Sequence, residues 1–357
     1  MEDLGMTREG FWAQQRVLIT GHTGFKGCWL ALRLKMLGAE VHGLALEPDT
    51  SPALFHRIGL AREMSSRKLD IRDLDALTKS VREIRPGIVF HLAAQSLVRR
   101  SYAQPIDTWA TNVMGTAHVL LSVADLGSPC IVVAVTTDKV YANREWVHPY
   151  READRLGGHD PYSASKAASE LLIESWRKSF LAGTNVRLAV ARAGNVIGGG
   201  DWAEDRIVPD IVRALSRGAP IQVRNPAATR PWQHVLDPLD GYLTLAEALT
   251  RSDDPTIQGA FNFGPDADAT RTVRMLVEEV LKHWPGRWEH IGADGAPHEA
   301  GLLSLATDKA RHVLGWRPRW GFEQAIRETV EWYRHVERGA EPLKLCREQI
   351  ARYAEAA

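Results

Sequence analysis

"VLITGHTGFKGCWLALRLKMLGAEVHGLALE", Val17–Glu47, decides the fold. It reads as an apolar strand, three glycines at Gly21, Gly24 and Gly27, an amphipathic run and a second apolar strand. Within the run, Lys26–Leu37, the residues Trp29, Leu30, Leu34 and Leu37 form one helical stripe. Strand, helix, strand in alternation implies a parallel sheet covered on both faces.

The alternation continues along the chain. Val17–Thr20, Val41–Leu46, Ile88–Leu92, Ile131–Thr136 and Val186–Ala191 are predicted strands, and Tyr102–Leu126 and Tyr162–Phe180 are predicted long helices. After Ala193 the stretch "GNVIGGGDW", Gly194–Trp202, is too rich in glycine for a regular element and reads as a loop leaving the sheet. Asp237–Thr250 and Gly259–Phe263 read as a helix and strand returning to it, followed by Arg271–His283, Phe322–Arg338 and a terminal helix near Glu341–Tyr353. The predicted class is α/β: a Rossmann-type doubly wound parallel sheet with a smaller C-terminal substrate-binding domain. The first spans residues 16–193 with a return segment near 236–265; the second takes 194–235 and 266–357.

Forty-four basic residues balance forty-four acidic ones, so no net field draws the chain to nucleic acid or an anionic bilayer. The expected partners are small molecules or further copies of the chain. Cys28, Cys130 and Cys346 are odd in number, far apart and without a CxxC spacing. The histidines also lack ligand spacing, so no metal is expected. Residues 1–16 have no continuous apolar core and no run reaches membrane-spanning length, so the expectation is a soluble cytoplasmic protein.

Gly21, Gly24 and Gly27 follow a strand and open a helix, the context a dinucleotide-binding loop needs. One glycine makes the tight turn, one lets backbone approach a pyrophosphate and one allows close helix packing, while free amides at the helix N-terminus face the phosphates. Thr23, Phe25 and Lys26 complete the candidate loop. Lys26 is a cation placed either to meet the pyrophosphate or to be solvated, and His22 shapes the turn. The competing reading is a tight strand-to-helix turn that holds nothing.

The GxxGxxG spacing resembles the extended short-chain dehydrogenase/reductase family. The resemblance implies a nicotinamide dinucleotide, with Asp70 and Ile71 of "LDIRD" cupping the adenine and Leu92, Ala93 and Ala94 of "HLAAQ" beneath the nicotinamide half. Glu47, late in the second strand, is the candidate carboxylate for the adenosine ribose and favours NAD over NADP. Arg57 and Arg62 are the cations within reach of a 2′-phosphate.

Tyr162 and Lys166 form "YSASK", the only Tyr-x-x-x-Lys in the chain. Four residues apart on a helix they share a face. An adjacent ammonium and a nicotinamide cation would both favour the phenolate, so Tyr162 is expected to take a hydroxyl proton while NAD takes the hydride. "VAVTTDKVY", Val133–Tyr141, is an apolar strand ending in polar residues, which at the carboxyl end of a parallel strand face the ligand crevice. Thr137 suffices to hydrogen-bond a hydroxyl being oxidised; Asp138 and Lys139 are an acid and a base beyond what hydride transfer needs. Their bland reading is a solvated pair at a strand end. Their chemical reading is elimination: oxidation at C4 of a hexose acidifies the C5 proton, a neutral Lys139 removes it, and a protonated Asp138 assists the departing C6 hydroxyl.

Together "TGHTGFKG", "TTDKVY", "YSASK", "RAGNVIGGGDW" and "RPWQHVLDP" resemble the nucleotide-sugar dehydratases of that family over most of Arg16–Asp237. Thr-Asp-Lys, where other branches carry Thr-Asp-Glu, is the pattern of the branch that acts on CDP-glucose. The resemblance implies prosthetic NAD, a homodimer or homotetramer, and a substrate that is CDP-glucose or a related nucleotide sugar. It also places sugar-nucleotide contacts at Gln95, Arg192, Asn195, Arg206, Arg230 and His234, with Arg230 first for the diphosphate because its planar fork binds two oxygens at once. Trp232 is either core or a platform for a base. A nucleotide-sugar 4-epimerase, a dehydratase of another nucleotide hexose and a non-catalytic nucleotide sensor are the alternatives.

Overall fold

A computed structural model describes residues 7–252, 254–266, 270–292 and 302–356. Six strands come first: β1 (Arg16–Thr20), β2 (Glu40–Ala45), β3 (Ser65–Lys68), β4 (Ile88–His91), β5 (Cys130–Val135) and β6 (Val186–Ala193). Four short ones follow, β7 (Val196–Ile197), β8 (Ile221–Val223), β9 (Thr229–Pro231) and β10 (Gln233–His234), before β11 (Ala260–Phe263) returns to the sheet. The main sheet has the order β11-β6-β5-β4-β1-β2-β3 with every pairing parallel. The chain winds outward from β1 to β3 and restarts at β4 on the other side of β1, so a crevice opens beyond the carboxyl ends of β1 and β4.

The central strands are buried on both faces, as their unbroken apolar runs require. Val17 and Ile19 of β1 join one apolar cluster and Leu18 the other; Val133 and Val132 of β5 divide in the same way. This alternation is the two-residue period of a strand. The first face is covered by the helices Phe25–Met36 and Leu236–Arg251, the second by Leu74–Ile84, Gly115–Ala124 and Pro161–Ser179. The C-terminal helix Pro342–Glu355 packs on Phe25–Met36, and the Tyr353 hydroxyl donates to Asp237 Oδ1 at 2.7 Å.

Four elements differ from the sequence expectation. β3 reads Ser-Ser-Arg-Lys, with no apolar period, because an edge strand needs only one paired side. The expected helix Tyr102–Leu126 is broken into Val98–Ala103, Pro105–Trp109, a π-helical turn Ala110–Met114 and Gly115–Ala124. Pro105 lacks an N–H and drives Gln104 out of helical geometry, to φ −134°. The glycine-rich stretch after Ala193 contains β7, which pairs with β10; its Gly199 lies so close to Trp332 that a Cβ would overlap the indole at 2.1 Å. The segment expected as the helix Arg271–His283 opens instead in β12 (Thr270–Thr272), antiparallel to β9, and the helix starts at Val273 with Thr272 as its cap. No helix among the described residues is long and apolar enough to cross a membrane.

Candidate active site

The crevice is a cavity of about 1780 Å³. Sites for a single small ligand hold about 300–1,000 Å³, so two ligands fit end to end. Its walls are the glycine loop, the carboxyl ends of the central strands, the start of the helix Pro161–Ser179, and segments near Asp201–Asp210 and Gln222–Asn225.

At the glycine loop, Gly21 adopts φ +79° and a Cβ there would stand 2.7 Å from the Ala93 nitrogen. At Gly27 a Cβ would lie 2.2 Å from the Gly21 carbonyl oxygen. Both positions therefore demand glycine, which lets the loop fold tightly under the N-terminus of Phe25–Met36. The first N–H groups of that helix have no partner within it. They converge where an anion is favoured. Thr23 Oγ1 donates to the Leu46 carbonyl at 2.9 Å, tying the loop to the end of β2. His22 is buried against Gly43, its Nε2 2.7 Å from Ser66 Oγ, and burial pushes its pKa down to about 4. It shapes the loop and does not enter the cavity.

Glu47, Asp70, Ile71, Leu92, Ala93 and Ala94 all line this end. Asp70 is ion-paired with Arg72 at 2.7 Å. Arg57 and Arg62 lie outside the lining.

The second half of the cavity holds the titrating groups. Asp160 caps the helix Pro161–Ser179 by accepting from the Ser163 N–H at 2.9 Å, and Pro161 opens it, which sets Tyr162 and Lys166 at its first turns. Lys166 Nζ donates to the Val135 carbonyl at 3.2 Å, and burial pushes its pKa down to about 8. Burial pushes the Tyr162 hydroxyl up to about 12, with the Thr137 hydrogen bond lowering it and the Asp138 charge raising it. Of the two cations expected to favour the phenolate, the Lys166 ammonium is turned to the end of β5 and is not among the causes that lower the Tyr162 value. Thr137 Oγ1 donates to Asp138 Oδ1 at 3.0 Å, and Lys139 Nζ stands 3.7 Å from the same oxygen. Asp138 is fully buried and its Oδ2 has no hydrogen-bond partner among the described residues. Lys26 reaches the same place: burial and then the Arg206 cation push it down to about 7, Asp138 opposing.

On the third side, Gln95, Asn195, Arg206 and Arg230 line the cavity. Arg206 donates to Asp201 at 3.0 Å, and Arg230 donates to the Thr229 carbonyl at 2.8 Å. Gln95 uses its amide to hold Leu97 and Thr108, at 3.1 and 2.9 Å. Trp232 is buried, donates to the Arg271 carbonyl at 3.1 Å and shows an edge to the cavity. His234 is not brought to the site. It is buried between Trp29 and Trp320, outside the cavity lining, and burial pushes it down to about 3. Arg192 is also removed from a direct role: it lies under the cavity floor in β6, ion-paired with Glu170.

Two residues that sequence reasoning passed over hold these parts together. Asn112, in the π-helical turn, accepts from the Gln95 N–H at 2.9 Å and donates to Ser165 Oγ at 2.8 Å. Glu170 accepts from Thr136 Oγ1 at 2.6 Å beside its pair with Arg192. The available signals were a helix interrupted by Pro105 and a charge on the inner face of the Tyr162 helix.

A family model for GDP-mannose 4,6 dehydratase matches residues 18–329. The chain is 45% identical to a CDP-glucose 4,6-dehydratase of Salmonella typhimurium, over 98% of this chain and 99% of that one. It is 26% identical to a dTDP-glucose 4,6-dehydratase of Haemophilus influenzae, over 89% and 97%. Among solved structures, a dTDP-glucose 4,6-dehydratase of Streptomyces venezuelae with NAD bound superposes with a TM-score of 0.76 at 26% identity, over 92% of this chain and 99% of that one. A UDP-glucose 4-epimerase of Thermus thermophilus in complex with NAD gives 0.78 at 25%, over 89% and 98%.

Proposed function

This chain belongs to the GDP-mannose 4,6 dehydratase family, and from that premise we propose that it converts CDP-glucose to CDP-4-dehydro-6-deoxyglucose by NAD-dependent loss of water. The observation that carries the proposal is Asp138 with Lys139 in the same cavity as Tyr162 and Lys166. An acid and base for C5 and C6 thus stand beside the pair that serves C4. The CDP-glucose 4,6-dehydratase relative at 45% identity supports the choice of base. Residues 16–193 with the return segment hold the cofactor, and the remainder holds the sugar nucleotide.

The Gly21–Gly27 cradle, folded tightly because a Cβ would collide at Gly21 and at Gly27, fits the pyrophosphate of NAD, and Glu47 and Asp70 stand at its adenosine end. Bound there, NAD would supply the hydride acceptor for C4 and the hydride donor for C6. Tyr162 takes the O4 proton, with Thr137 orienting that hydroxyl and Lys166 supplying positive charge. Lys139 takes the C5 proton once C4 is a ketone. Asp138 donates its proton as the C6–O bond breaks, so the oxygen leaves as water. Lys139 then returns a proton to C5, and the proton Tyr162 gained makes up the one Asp138 gave. Arg206 and Arg230 clamp the diphosphate, with Asn195 on the phosphates or sugar.

Mass spectrometry of the product tests this, after incubation with CDP-, dTDP-, GDP- and UDP-glucose and no added reductant. Loss of one water from CDP-glucose alone is expected. An unchanged mass with a new C4 isomer would make the enzyme an epimerase and strip Asp138 and Lys139 of these roles.

Copies of the chain are proposed to meet on the helices Val98–Ala103, Pro105–Trp109 and Pro161–Ser179, which leave Ile106 79% and Leu171 63% exposed. Sedimentation at micromolar concentration checks it, and a monomer there removes the proposal. The three cysteines are buried and free, which suits a reducing cytoplasm.

A further inference from the structure

Gly194 ends one residue past β6, with no positive φ, so its backbone would accept any residue. What forbids a side chain is Asp138. A Cβ on Gly194 would stand 2.7 Å from Asp138 Oδ2 and 3.3 Å from its Cγ, with Pro231 Cγ next at 3.4 Å. The contrast with Gly27 matters. There a Cβ strikes backbone, and the loop itself would have to move. At Gly194 the closest atom is the free end of a side chain, which can turn away without disturbing the sheet. That end is the buried Oδ2, which has no hydrogen-bond partner among the described residues; the carboxyl is held from its other oxygen, Oδ1, by the Thr137 hydroxyl.

We propose that Gly194 is a positioning residue for the elimination step: its missing Cβ leaves the space in which the Asp138 carboxyl lies when it protonates the departing C6 oxygen. The inference rests on the reading of Asp138 as that acid. It assigns to Gly194 a role separate from folding and from hydride transfer. Any larger residue drives Oδ2 outward by several tenths of an ångström to reach ordinary contact. Displacements of about 1 Å at a reacting group cost about 100-fold in rate.

The test uses the full-length, NAD-loaded enzyme with CDP-glucose. Gly194→Ala should slow dehydration roughly tenfold or more while C4 oxidation survives, so reduced nicotinamide builds up on mixing, and the melting temperature should hold. CDP-6-deoxy-6-fluoroglucose supplies a leaving group that departs as fluoride without a proton. It should restore near-native elimination in Gly194→Ala, a rescue that a packing defect would not give. In an Asp138→Ala background, where the carboxyl is gone, adding Gly194→Ala should cost nothing further. Native dehydration by Gly194→Ala, or equal loss in both backgrounds, overturns the proposal. If Asp138→Asn still slows elimination, the acid role stands without Gly194; if Asp138→Asn dehydrates at the native rate, the acid role falls and this inference with it.

Discussion

Tyr162→Phe is expected to lower kcat by about 10²–10⁴-fold, the usual worth of a positioned acid or base, while substrate and cofactor still bind. The variant keeps the ring that fills the buried site and loses only the oxygen proposed to take the O4 proton. Its pH profile should change as well. Burial holds the Tyr162 hydroxyl at about 12 and Lys166 at about 8. Oxidation at C4, as proposed, needs Tyr162 deprotonated and Lys166 protonated. Below about 8 the lysine is already charged and each pH unit raises the phenolate fraction tenfold. Above it, each unit gains phenolate and loses ammonium in equal measure. The logarithm of the C4-oxidation rate in the native enzyme should therefore rise with unit slope to about pH 8 and then level. Positive charge on a bound nicotinamide ring lowers the Tyr162 value and, while that value stays above the Lys166 one, lifts the curve without reversing its sign. Single-turnover reduction of the nicotinamide across pH measures the profile, and steady-state rates with calorimetric binding of the sugar nucleotide measure the loss in the Phe variant. A Phe variant that keeps more than a tenth of kcat removes Tyr162 from the base role.

The parts of this site that could be read from sequence are those whose chemistry depends on neighbours along the chain. Gly21 and Gly27 serve one loop, and each is constrained by atoms within that loop or directly beneath it. Tyr162 and Lys166 need only a helix to bring them together, and Thr137, Asp138 and Lys139 need only a strand end. What could not be read depends on contacts between distant segments. His234 sits in a polar stretch beside candidate substrate residues, yet the ring is packed between two indoles contributed by Trp29 and Trp320. Gly194 and Asp138 are far apart in the chain and meet because β5 and β6 are adjacent and parallel. β3 carries no apolar period, so only its partner β2 reveals it. Pro105 is a different case: the break in the long helix was marked in the chain, by a residue that cannot continue one.

Arg192→Met should destabilise the fold by about 3–5 kcal/mol, because it leaves a carboxylate buried without its charge partner. Arg192 and Glu170 are each 4% exposed in their side chains and form a two-pronged ion pair. The guanidinium also donates to the Tyr141 hydroxyl at 2.7 Å and the Glu152 carbonyl at 3.0 Å, and it lies over the Tyr141 ring. Remove it and, among the described residues, Glu170 keeps the Thr136 hydroxyl as its hydrogen bond and the Lys166 ammonium as a neighbouring charge. The double variant Arg192→Met with Glu170→Met should recover most of the loss, since a buried pair replaced on both sides by apolar groups is often close to neutral. Urea unfolding of the two single variants and the double measures the coupling; additive losses, or a single loss under 1 kcal/mol, would show that the pair does not support the floor of the site. The recovered stability should not recover activity. Thr136 precedes Thr137 and Asp138, and its hydroxyl is fixed by Glu170, so in the double variant the end of β5 keeps its backbone bond to Ala191 and its contact with Lys166 but loses this side-chain tether. Stability and turnover are thus expected to part company in that variant: the charge pair is dispensable for packing the floor and needed for aiming the residues above it.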